Sequence, residues 1–155
     1  MMELKFVDLD NADLRVLIDE LDDWFVQRYG AEYENYRGRN SITGVSCAIV
    51  AYKGKEPVGC GCWRALDEVT AELKRVYVRA AARRSGVAAR IVTALETHAA
   101  ATGAHRMVLE TAADMPHAIA CYRALGYAEI TRYGSYVDDE TVCCMGKTIS
   151  DGTMR

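Results

Sequence analysis

Residues 76–90 read VYVRAAARRSGVAAR, and the predicted architecture is organised around them. A strand-like run is followed by a short basic loop and then by the start of a helix, with small residues at Gly86 and Ala88. The free N–H groups and the positive end of a helix N-terminus attract anions. The stretch therefore predicts an anion site that suits a pyrophosphate. A solvated basic loop stays open as the alternative, because neither a Walker nor a GxGxxG pattern is present.

The segments on either side of this stretch predict a mixed α+β sheet. Apolar residues at helical spacing indicate a first helix at about 12–27, and Gly and Pro at 53–57 indicate the turn of a hairpin. A strand, a crossover helix and a second strand then form a parallel unit. The predicted strands cover residues 3–7, 46–52, 58–63, 71–78, 107–110 and 141–149, and the later helices cover 87–102 and the segment that Asp114 and Pro116 open and Gly126 closes.

Length and charge limit the classes to which the chain can belong. Its 155 residues suit one domain, residues 1–155, that is large enough to bury a core. The formal net charge of -3 gives no support for binding to nucleic acid or to an anionic membrane. No apolar run approaches the ~20 residues that a membrane span needs. We therefore expect neither a nucleic-acid partner nor a membrane partner.

Basic residues crowd one part of the sequence. The cluster consists of Lys74, Arg75, Arg79, Arg83, Arg84 and Arg90. Acidic residues such as Glu20 and Asp22 lie far from it along the chain. This distribution indicates a small anionic ligand, with a solvated charged face as the alternative.

The cysteines indicate a reducing compartment. They are Cys47, Cys60, Cys62, Cys121, Cys143 and Cys144. No charged and apolar leader pattern opens the sequence, so we expect reduced thiols and a cytoplasmic location. No metal is expected, because no CxxC pair or accompanying His gives the usual spacing of a zinc site. The cysteines are expected to act as small buried hydrophobes.

Two motifs carry a resemblance to a known family. Arg83-x-x-Gly86-x-Ala88 resembles the R/Q-x-x-G-x-G/A signature of the GNAT superfamily of acetyltransferases, in the strand, loop and helix context that the family requires. Residues 118–127 read AIACYRALGY and resemble the A-x-x-x-Y-x-x-x-G-F/Y segment of the same family. The resemblance implies the GNAT fold, a central, mixed, mostly antiparallel sheet that is splayed at a parallel strand pair and flanked by helices.

The resemblance also implies acetyl-CoA as co-substrate. Backbone groups of Val76 and Val78 would pair with the pantetheine arm, and the amides of residues 84–88 would bind the pyrophosphate. Met115 departs from the family pattern, because Asn often stands there, and this removes a polar contact to the cofactor. The expected cofactor-binding residues are Val76, Tyr77, Val78, Arg83, Arg84, Ser85, Gly86, Val87, Ala88 and Tyr122.

Two residues are expected to move protons. A lysine-like amine has a solution pKa near ~10.4, so it arrives protonated and must lose a proton. Glu72 lies where several GNAT enzymes have a glutamate general base that acts directly or through water; the alternative is a strand-edge glutamate that faces solvent. Tyr122 matches the family tyrosine that hydrogen-bonds the thioester sulfur and acts as general acid; the alternative is a helix tyrosine packed in the core. Cys121 is not expected to be a nucleophile, because no base is indicated beside it.

Aromatic side chains in the variable segments of the family are expected to form the acceptor site. Rings with carboxylates nearby suit a cationic or aromatic amine. The predicted substrate-binding residues are Trp24, Tyr29 and Tyr133, and Tyr33, Tyr36 and Tyr136 lie in the same segments. For each ring taken singly, half-buried packing is the alternative.

These observations predict an N-acetyltransferase that transfers an acetyl group from acetyl-CoA to a primary amine, by direct attack in a ternary complex. The acceptor stays open: a small-molecule amine or amino acid is favoured over a peptide acceptor such as a protein lysine or N-terminus. A homodimer stays open as well. The alternative function is a non-catalytic acyl-CoA-binding sensor or interaction module, which would keep the loop and lose the catalytic groups.

Overall fold

A computed structural model describes residues 2–33, 42 and 44–150 of the chain. The strands are β1 (Met2–Val7), β2 (Cys47–Lys53), β3 (Glu56–Ala65), β4 (Thr70–Val78), β5 (Arg106–Ala112), β6 (Ala128–Glu129) and β7 (Val142–Thr148). The helices are α1 (Ala12–Tyr29), α2 (Val87–Ala101) and α3 (Pro116–Ala124). All of these strands join one sheet in the order β1-β2-β3-β4-β5-β7-β6. The predicted mixed α+β fold is confirmed.

The sheet is antiparallel except at its centre. Strands β1 to β4 form an antiparallel meander. Strands β4 and β5 run parallel, and their pairing covers only Thr70 to Glu72 on β4 and Arg106 to Val108 on β5. Because the two strands separate beyond these residues, a gap opens in the middle of the sheet, which confirms the splayed parallel pair.

Helix α1 is capped and buried as its sequence dictates. The side chain of Asn11 accepts a hydrogen bond of 3.0 Å from the N–H of Leu14, which satisfies one of the unpaired donors of the first turn. Leu14, Leu17 and Ile18 recur at helical spacing and are buried against apolar side chains of β2 and β3. We call this side of the sheet the α1 face.

Helix α2 covers the opposite side, which we call the α2 face. Its buried residues are Val87, Ile91, Val92, Leu95 and Ala99. Gly61 of β3 allows the helix to approach closely, because a Cβ at this position would lie 2.7 Å from Cγ2 of Ile91. The helix that follows the basic loop is therefore held firmly against the sheet.

Strand β4 changes register at Arg75. Its φ of 59° lies in the left-handed region that non-glycine residues rarely adopt. The pairing with β3 shifts at the same point, between Cys60 and Cys62. A bulge bends the strand that carries it. The bulge therefore accounts for the separation of β4 from β5 beyond Glu72.

Helix α3 is short and lies outside the core. Within the described part of the chain none of its residues is fully buried, although Ile119 and Tyr122 pack partly against the core of the α2 face. Pro116 begins the helix, as predicted, because its fixed φ suits the first turn. The prediction that Asp114 helps to open the helix is wrong, because Met115 is the N-cap residue and Asp114 is bonded to α1 instead.

The remaining differences from the sequence prediction concern very short elements. Strand β6 has only two residues and pairs with β7 through them, which is too short for hydrophobic periodicity to reveal. Single-turn helices at Ala80–Ala82 and Gly134–Tyr136 also carry no periodic signal. No helix within residues 2–33 and 44–150 combines the length and the apolarity that crossing a bilayer requires.

Candidate active site

The gap between β4 and β5 exposes backbone groups of β4. The N–H of Arg79 donates to the carbonyl of Val58 on β3 at 2.9 Å. Successive residues of a strand direct their backbone groups to opposite edges. Val76 and Val78 therefore direct theirs to the edge that β5 leaves open. An extended ligand can pair with this edge in the manner of an added strand.

The loop between β4 and α2 presents an open helix N-terminus. Arg84 and Gly86 adopt left-handed conformations, with φ values of 68° and 81°. Gly86 is the N-cap residue, and no side chain in the described part of the chain caps the helix. A Cβ at Gly86 would meet nothing within 4 Å. The N–H groups of the first turn are therefore accessible to an anion.

Arg83 connects this loop to the edge of β4. Its Nε donates to the carbonyl of Val78 at 2.9 Å, and the hydroxyl of Ser85 donates to the carbonyl of Ala82 at 2.5 Å. Both bonds hold the loop in its turn. The guanidinium of Arg83 thus lies at the open edge of β4, four residues before α2 begins.

Only part of the basic cluster is available to a ligand at this loop. Lys74 and Arg75 are buried, whereas Arg83, Arg84 and Arg90 are exposed. The compensated pairs are Arg75 with Asp22, Arg79 with Glu20 and Lys74 with Glu72, with shortest N to O distances of 2.5, 2.6 and 4.0 Å. The prediction that the cluster as a whole serves an anion is therefore wrong for three of its members, because folding brings distant carboxylates to them.

Glu72 is the last residue of β4 that pairs with β5, and its side chain has no exposed surface. Arg64, its cross-strand neighbour on β3, donates from Nε to Oε1 at 2.7 Å. The hydroxyl of Tyr133 donates to Oε2 at 2.5 Å, and Nζ of Lys74 lies 4.0 Å from Oε1. The alternative of a strand-edge glutamate that faces solvent is wrong. Glu72 is an interior carboxylate that hydrogen bonds and positive charge compensate.

The groups around Glu72 have altered acidities. Burial, reinforced by the charge of Glu72, raises the pKa of Tyr133 far above its ordinary value, so the phenol keeps its proton. Burial lowers the pKa of Lys74, against the opposing charges of Glu72 and Glu110. Although burial disfavours its charge, the hydrogen bond to Glu72 raises the pKa of Arg64. A permanent cation and a protonated phenol therefore flank the carboxylate.

Tyr122 lies on helix α3, against the core of the α2 face. Its ring meets that of Tyr127 edge-on, with centroids 5.9 Å apart. Burial raises the pKa of its hydroxyl, with smaller contributions from Cys121 and Glu110. None of the described residues forms a hydrogen bond with this hydroxyl. The group is thus a protonated phenol whose donor is available to a ligand.

Glu72 and Tyr122 lie on opposite faces of the sheet. Ala71 and Leu73 belong to the core of the α2 face, so Glu72 between them points to the α1 face. Glu110 of β5 influences the pKa values of both Lys74 and Tyr122. A carboxylate and a phenol therefore approach the gap between β4 and β5 from its two sides.

Comparison with known proteins agrees with this geometry. The model of the Acetyltransferase (GNAT) family matches residues 14–127. The chain belongs to the GNAT acetyltransferase family. The IAA acetyltransferase of Azospirillum brasilense is 30% identical over 136 residues, which cover 86% of this chain and 88% of that protein. The GNAT resemblance seen in the two motifs is confirmed, and the chain is an acetyltransferase.

Solved structures share the GNAT fold. A protein of Klebsiella pneumoniae assigned to the acyl-CoA N-acyltransferases superposes with a TM-score of 0.80 at 26% identity, over 96% of this chain and 98% of that one. A GNAT family acetyltransferase of Elizabethkingia anophelis, with acetyl-CoA bound, gives a TM-score of 0.70 at 13% identity. That likeness covers 95% of this chain and 97% of the other, and it shows the fold.

Two aromatic residues predicted to bind the acceptor of this GNAT enzyme lie near the end of α1. The hydroxyl of Tyr29 donates to Oδ1 of Asp114 at 2.9 Å. Arg28 joins them, because its Nη2 donates to the carbonyl of Asp114 at 3.2 Å and its guanidinium carbon lies 5.6 Å from the ring centroid of Trp24. Helix α1 is therefore tied to the segment that leads into α3. We call this contact the α1 latch.

The other aromatic residues of these segments differ in burial. Tyr33 and Tyr136 are 1% and 2% exposed, so packing accounts for both. Tyr133 is half-buried, lies edge-on to Tyr136 and is bonded to Glu72. Tyr36 lies outside the described residues. Among the expected acceptor rings, Tyr133 contacts the candidate base directly.

Sequence reasoning missed Arg64, which belongs to the candidate site through its bond to Glu72. Pairing the two strands around the turn at residues 66–69 would have found it, because the register of the hairpin places Arg64 opposite Glu72. The contacts of Asp114 with α1 have no comparable signal, since the residues concerned are 85 and 86 apart in the chain.

His98 and the buried cysteines of the GNAT enzyme have structural roles. Nδ1 of His98 accepts a hydrogen bond of 3.1 Å from the indole of Trp63. Burial raises the pKa of the Cys62 thiol to about 12, which makes it unreactive. Among the described residues no three His, Cys, Asp or Glu side chains form a group that could hold a metal ion.

Proposed function

We propose that this GNAT enzyme transfers an acetyl group from acetyl-CoA to a primary amine by direct attack within a ternary complex. The observation that carries the proposal is the convergence of three features on the gap between β4 and β5. These are the open edge of β4, the uncapped start of α2, and the pair formed by Glu72 on one face and Tyr122 on the other. No covalent enzyme intermediate is needed, because acceptor and donor can reach the gap from opposite faces.

The residues present fit the co-substrate. The absence of a side chain at Gly86 and the unbonded N–H groups of the first turn of α2 suit a pyrophosphate, and Arg83 and Arg84 add positive charge. The backbone groups of Val76 and Val78 suit the amides of a pantetheine arm. Acetyl-CoA supplies an activated acetyl group and a thiolate leaving group. The N–H of Val78 is the donor proposed to polarise the thioester carbonyl.

Tyr122 is the proposed general acid. Its raised pKa keeps the hydroxyl protonated at neutral pH, so it can donate a proton to a departing thiolate. Its position on the side of the gap that carries α2 and α3 supports this role, because the loop that suits the pyrophosphate leads into α2.

Glu72 is the proposed general base. The acceptor amine arrives as an ammonium ion at neutral pH and must lose a proton before it can attack. Glu72 lies on the α1 face, opposite the cofactor loop, which is the side where Trp24, Tyr29 and Tyr133 would receive an acceptor. The proposed acceptor is a small-molecule or peptide amine, held by these aromatic rings.

The decisive experiment measures release of free thiol from acetyl-CoA with a panel of acceptors. The panel contains aromatic amines, polyamines, amino acids, lysine peptides and IAA, the compound in the name of the Azospirillum relative. At least one amine should give thiol release together with an acetylated product of the expected mass. Binding of acetyl-CoA with no turnover on any class of acceptor would contradict the proposal and indicate an acyl-CoA sensor.

We also propose that the protein is cytoplasmic. Its six cysteines are all free, and five of them are buried, which suits a reducing compartment. A homodimer stays a prediction, and sedimentation of the purified protein measures it directly.

A further inference from the structure

The burial of Glu72 restricts the route by which a proton from the acceptor can reach its carboxylate. The carboxylate has no exposed surface, and both of its oxygens accept hydrogen bonds from protein groups. An amine that enters from solvent therefore cannot contact Glu72 without displacing one of these donors. Lys74, 4.0 Å from Oε1, is itself buried and receives nothing directly from solvent. The proton therefore has to reach the carboxylate through Arg64 or Tyr133, the two groups that are hydrogen-bonded to it.

Of the two donors, only Tyr133 can both accept and donate a proton. The guanidinium of Arg64 stays protonated in proteins and has no acceptor atom. The phenol oxygen of Tyr133 has a free lone pair while its O–H points to Oε2 of Glu72 at 2.5 Å. Tyr133 is also half-buried, so this residue has exposed surface whereas Glu72 has none.

We propose that Tyr133 relays the proton of the acceptor ammonium to Glu72, and this proposal rests on the proposed function. The acceptor N–H bond breaks as an O–H bond forms on the phenol oxygen of Tyr133. In the same event the original O–H bond of Tyr133 breaks and an O–H bond forms at Oε2 of Glu72. No net charge is left on the tyrosine. After the product leaves, the reverse transfer to water restores both residues.

The surroundings of the pair favour a relay over a free tyrosinate. Burial and the charge of Glu72 hold the pKa of Tyr133 high, so a stable phenolate does not accumulate. Edge-on packing against Tyr136, with ring centroids 5.6 Å apart, fixes the direction of the hydroxyl. The titratable and charged groups that face the pair are Arg64, Lys74, Tyr136 and Cys144, and Glu110 lies beyond Lys74.

The test compares kcat/KM against pH for four proteins: the wild type, Tyr133→Phe, Glu72→Gln and the double variant. The acceptor is the amine from the panel with the highest turnover. Each single variant should lose about 10²-fold at neutral pH, and the double variant should lose no more than either single variant. All deficits should shrink as pH approaches the pKa of the amine, because more acceptor then arrives neutral.

Tyr127→Phe is the matched control, because the Tyr127 hydroxyl also donates to a glutamate, Glu96, at 2.7 Å but lies on the α2 face. It should keep the wild-type pH profile. A wild-type profile for Tyr133→Phe would overturn the relay. So would losses that add in the double variant, or a deficit that is constant with pH, since each indicates that Tyr133 only binds or orients the acceptor.

A second pair of variants tests the relay even if Tyr133→Phe fails to fold. Histidine can pass a proton to Glu72 and leucine cannot, so Tyr133→His should be at least tenfold more active than Tyr133→Leu. Equal activities would contradict the relay. The two proposals fail differently: a wild-type protein that releases no thiol with any amine refutes the function, whereas an active wild type with an unaffected Tyr133→Phe refutes the relay alone.

Discussion

At the scale of single residues, Tyr122 gives the sharpest expectation. Tyr122→Phe removes the proposed acid and keeps the ring that packs beside Tyr127, so kcat should fall by about 10²-fold while the affinity for acetyl-CoA changes little. Steady-state kinetics and calorimetric titration measure the two quantities. Cys121→Ala is the control, because this exposed neighbour should be dispensable. Unimpaired turnover in Tyr122→Phe would remove the residue from the mechanism.

Glu20 gives an expectation for acid stability. The guanidinium of Arg79, which donates two hydrogen bonds to the carboxylate, lowers the pKa of Glu20 below its ordinary value of 4.5. The stabilisation is therefore fully present above pH 4.5 and disappears as the pH falls through the lowered value. Glu20→Gln should be less stable at neutral pH, and the two stability curves should converge on acidification.

Chemical denaturation between pH 2 and 7 measures this difference. Asp19→Asn is the control, because Asp19 is an exposed carboxylate on the same helix. A difference between wild type and Glu20→Gln that is constant with pH would show that the pair stabilises the fold through packing alone.

The sequence predicts residue types at the site better than their environments. The glycine and the small residues of the proposed cofactor loop carry a local signal, and the structure places them at the start of a helix as predicted. The burial of Glu72 has no local signal, because it depends on Arg64 across a hairpin and on Tyr133, 61 residues later. Charge pairing over such distances is decided by the tertiary fold.

At the scale of secondary-structure elements, the approach of α2 to the sheet depends on Gly61. The Cβ introduced by Gly61→Ala would lie 2.7 Å from Cγ2 of Ile91 and 3.1 Å from Cδ1 of Leu95. Overpacking of this kind costs about 1–3 kcal/mol. Denaturant unfolding should therefore show a loss of stability in that range.

Ile91→Ala provides the internal control for this clash, because it removes the opposing methyl group. The loss in the double variant should be smaller than the sum of the two single losses, since the new methyl fills part of the space that Ile91 vacates. Strictly additive losses of stability would show that the new methyl group at position 61 does not clash with Ile91, because α2 moves away from the sheet.

The N-terminus of α2 should be disabled as an anion site by Gly86→Val. A valine at a φ of 81° costs about 1–2 kcal/mol of backbone strain, and its side chain would occupy the space that stands open in front of the first turn. Acetyl-CoA should then no longer raise the melting temperature, because it binds the native state too weakly.

Gly54→Val is the matched control for Gly86→Val. Gly54 has a φ of 65° and is equally open, but it lies in the turn between β2 and β3. Its variant should lose comparable stability and keep the full response to acetyl-CoA. If both variants respond to acetyl-CoA as the wild type does, the loop is not the cofactor site.

Long elements with strong periodicity could be predicted from the sequence, and short ones could not. Helix α2 can be predicted because Val87, Ile91 and Leu95 recur at helical spacing along one face. The prediction that Asp114 helps to open α3 is wrong, because an acidic residue two positions before a proline has the same local pattern whether it caps the helix or bonds elsewhere. In the α1 latch, Arg28 and Tyr29 of α1 contact Asp114. Such a contact between distant elements cannot be predicted from the local sequence of either one.

At the scale of the whole molecule, the parallel pair of β4 and β5 is the feature that organises the site. The sequence predicts it from one crossover, since a strand, a helix and a strand in succession leave few other arrangements. The point at which the pair separates could not be predicted, because it depends on the bulge at Arg75 and on the Asp22 carboxylate that receives this side chain. That the chain is a single domain stays a prediction.

Helix α3 is less deeply buried than α2, so the two helices should differ in their rates of amide hydrogen exchange. Helix α2 contributes five fully buried residues, whereas α3 contributes none within the described part of the chain. Amides of α2 should therefore exchange only when the whole protein opens, and those of α3 through a smaller, more frequent opening. Because Tyr122 is carried by α3, saturating acetyl-CoA should slow exchange in α3 more than in α2, which mass spectrometry of peptic fragments resolves. Equal protection of the two helices without ligand would instead mean that the proposed acid is held in place before the co-substrate arrives.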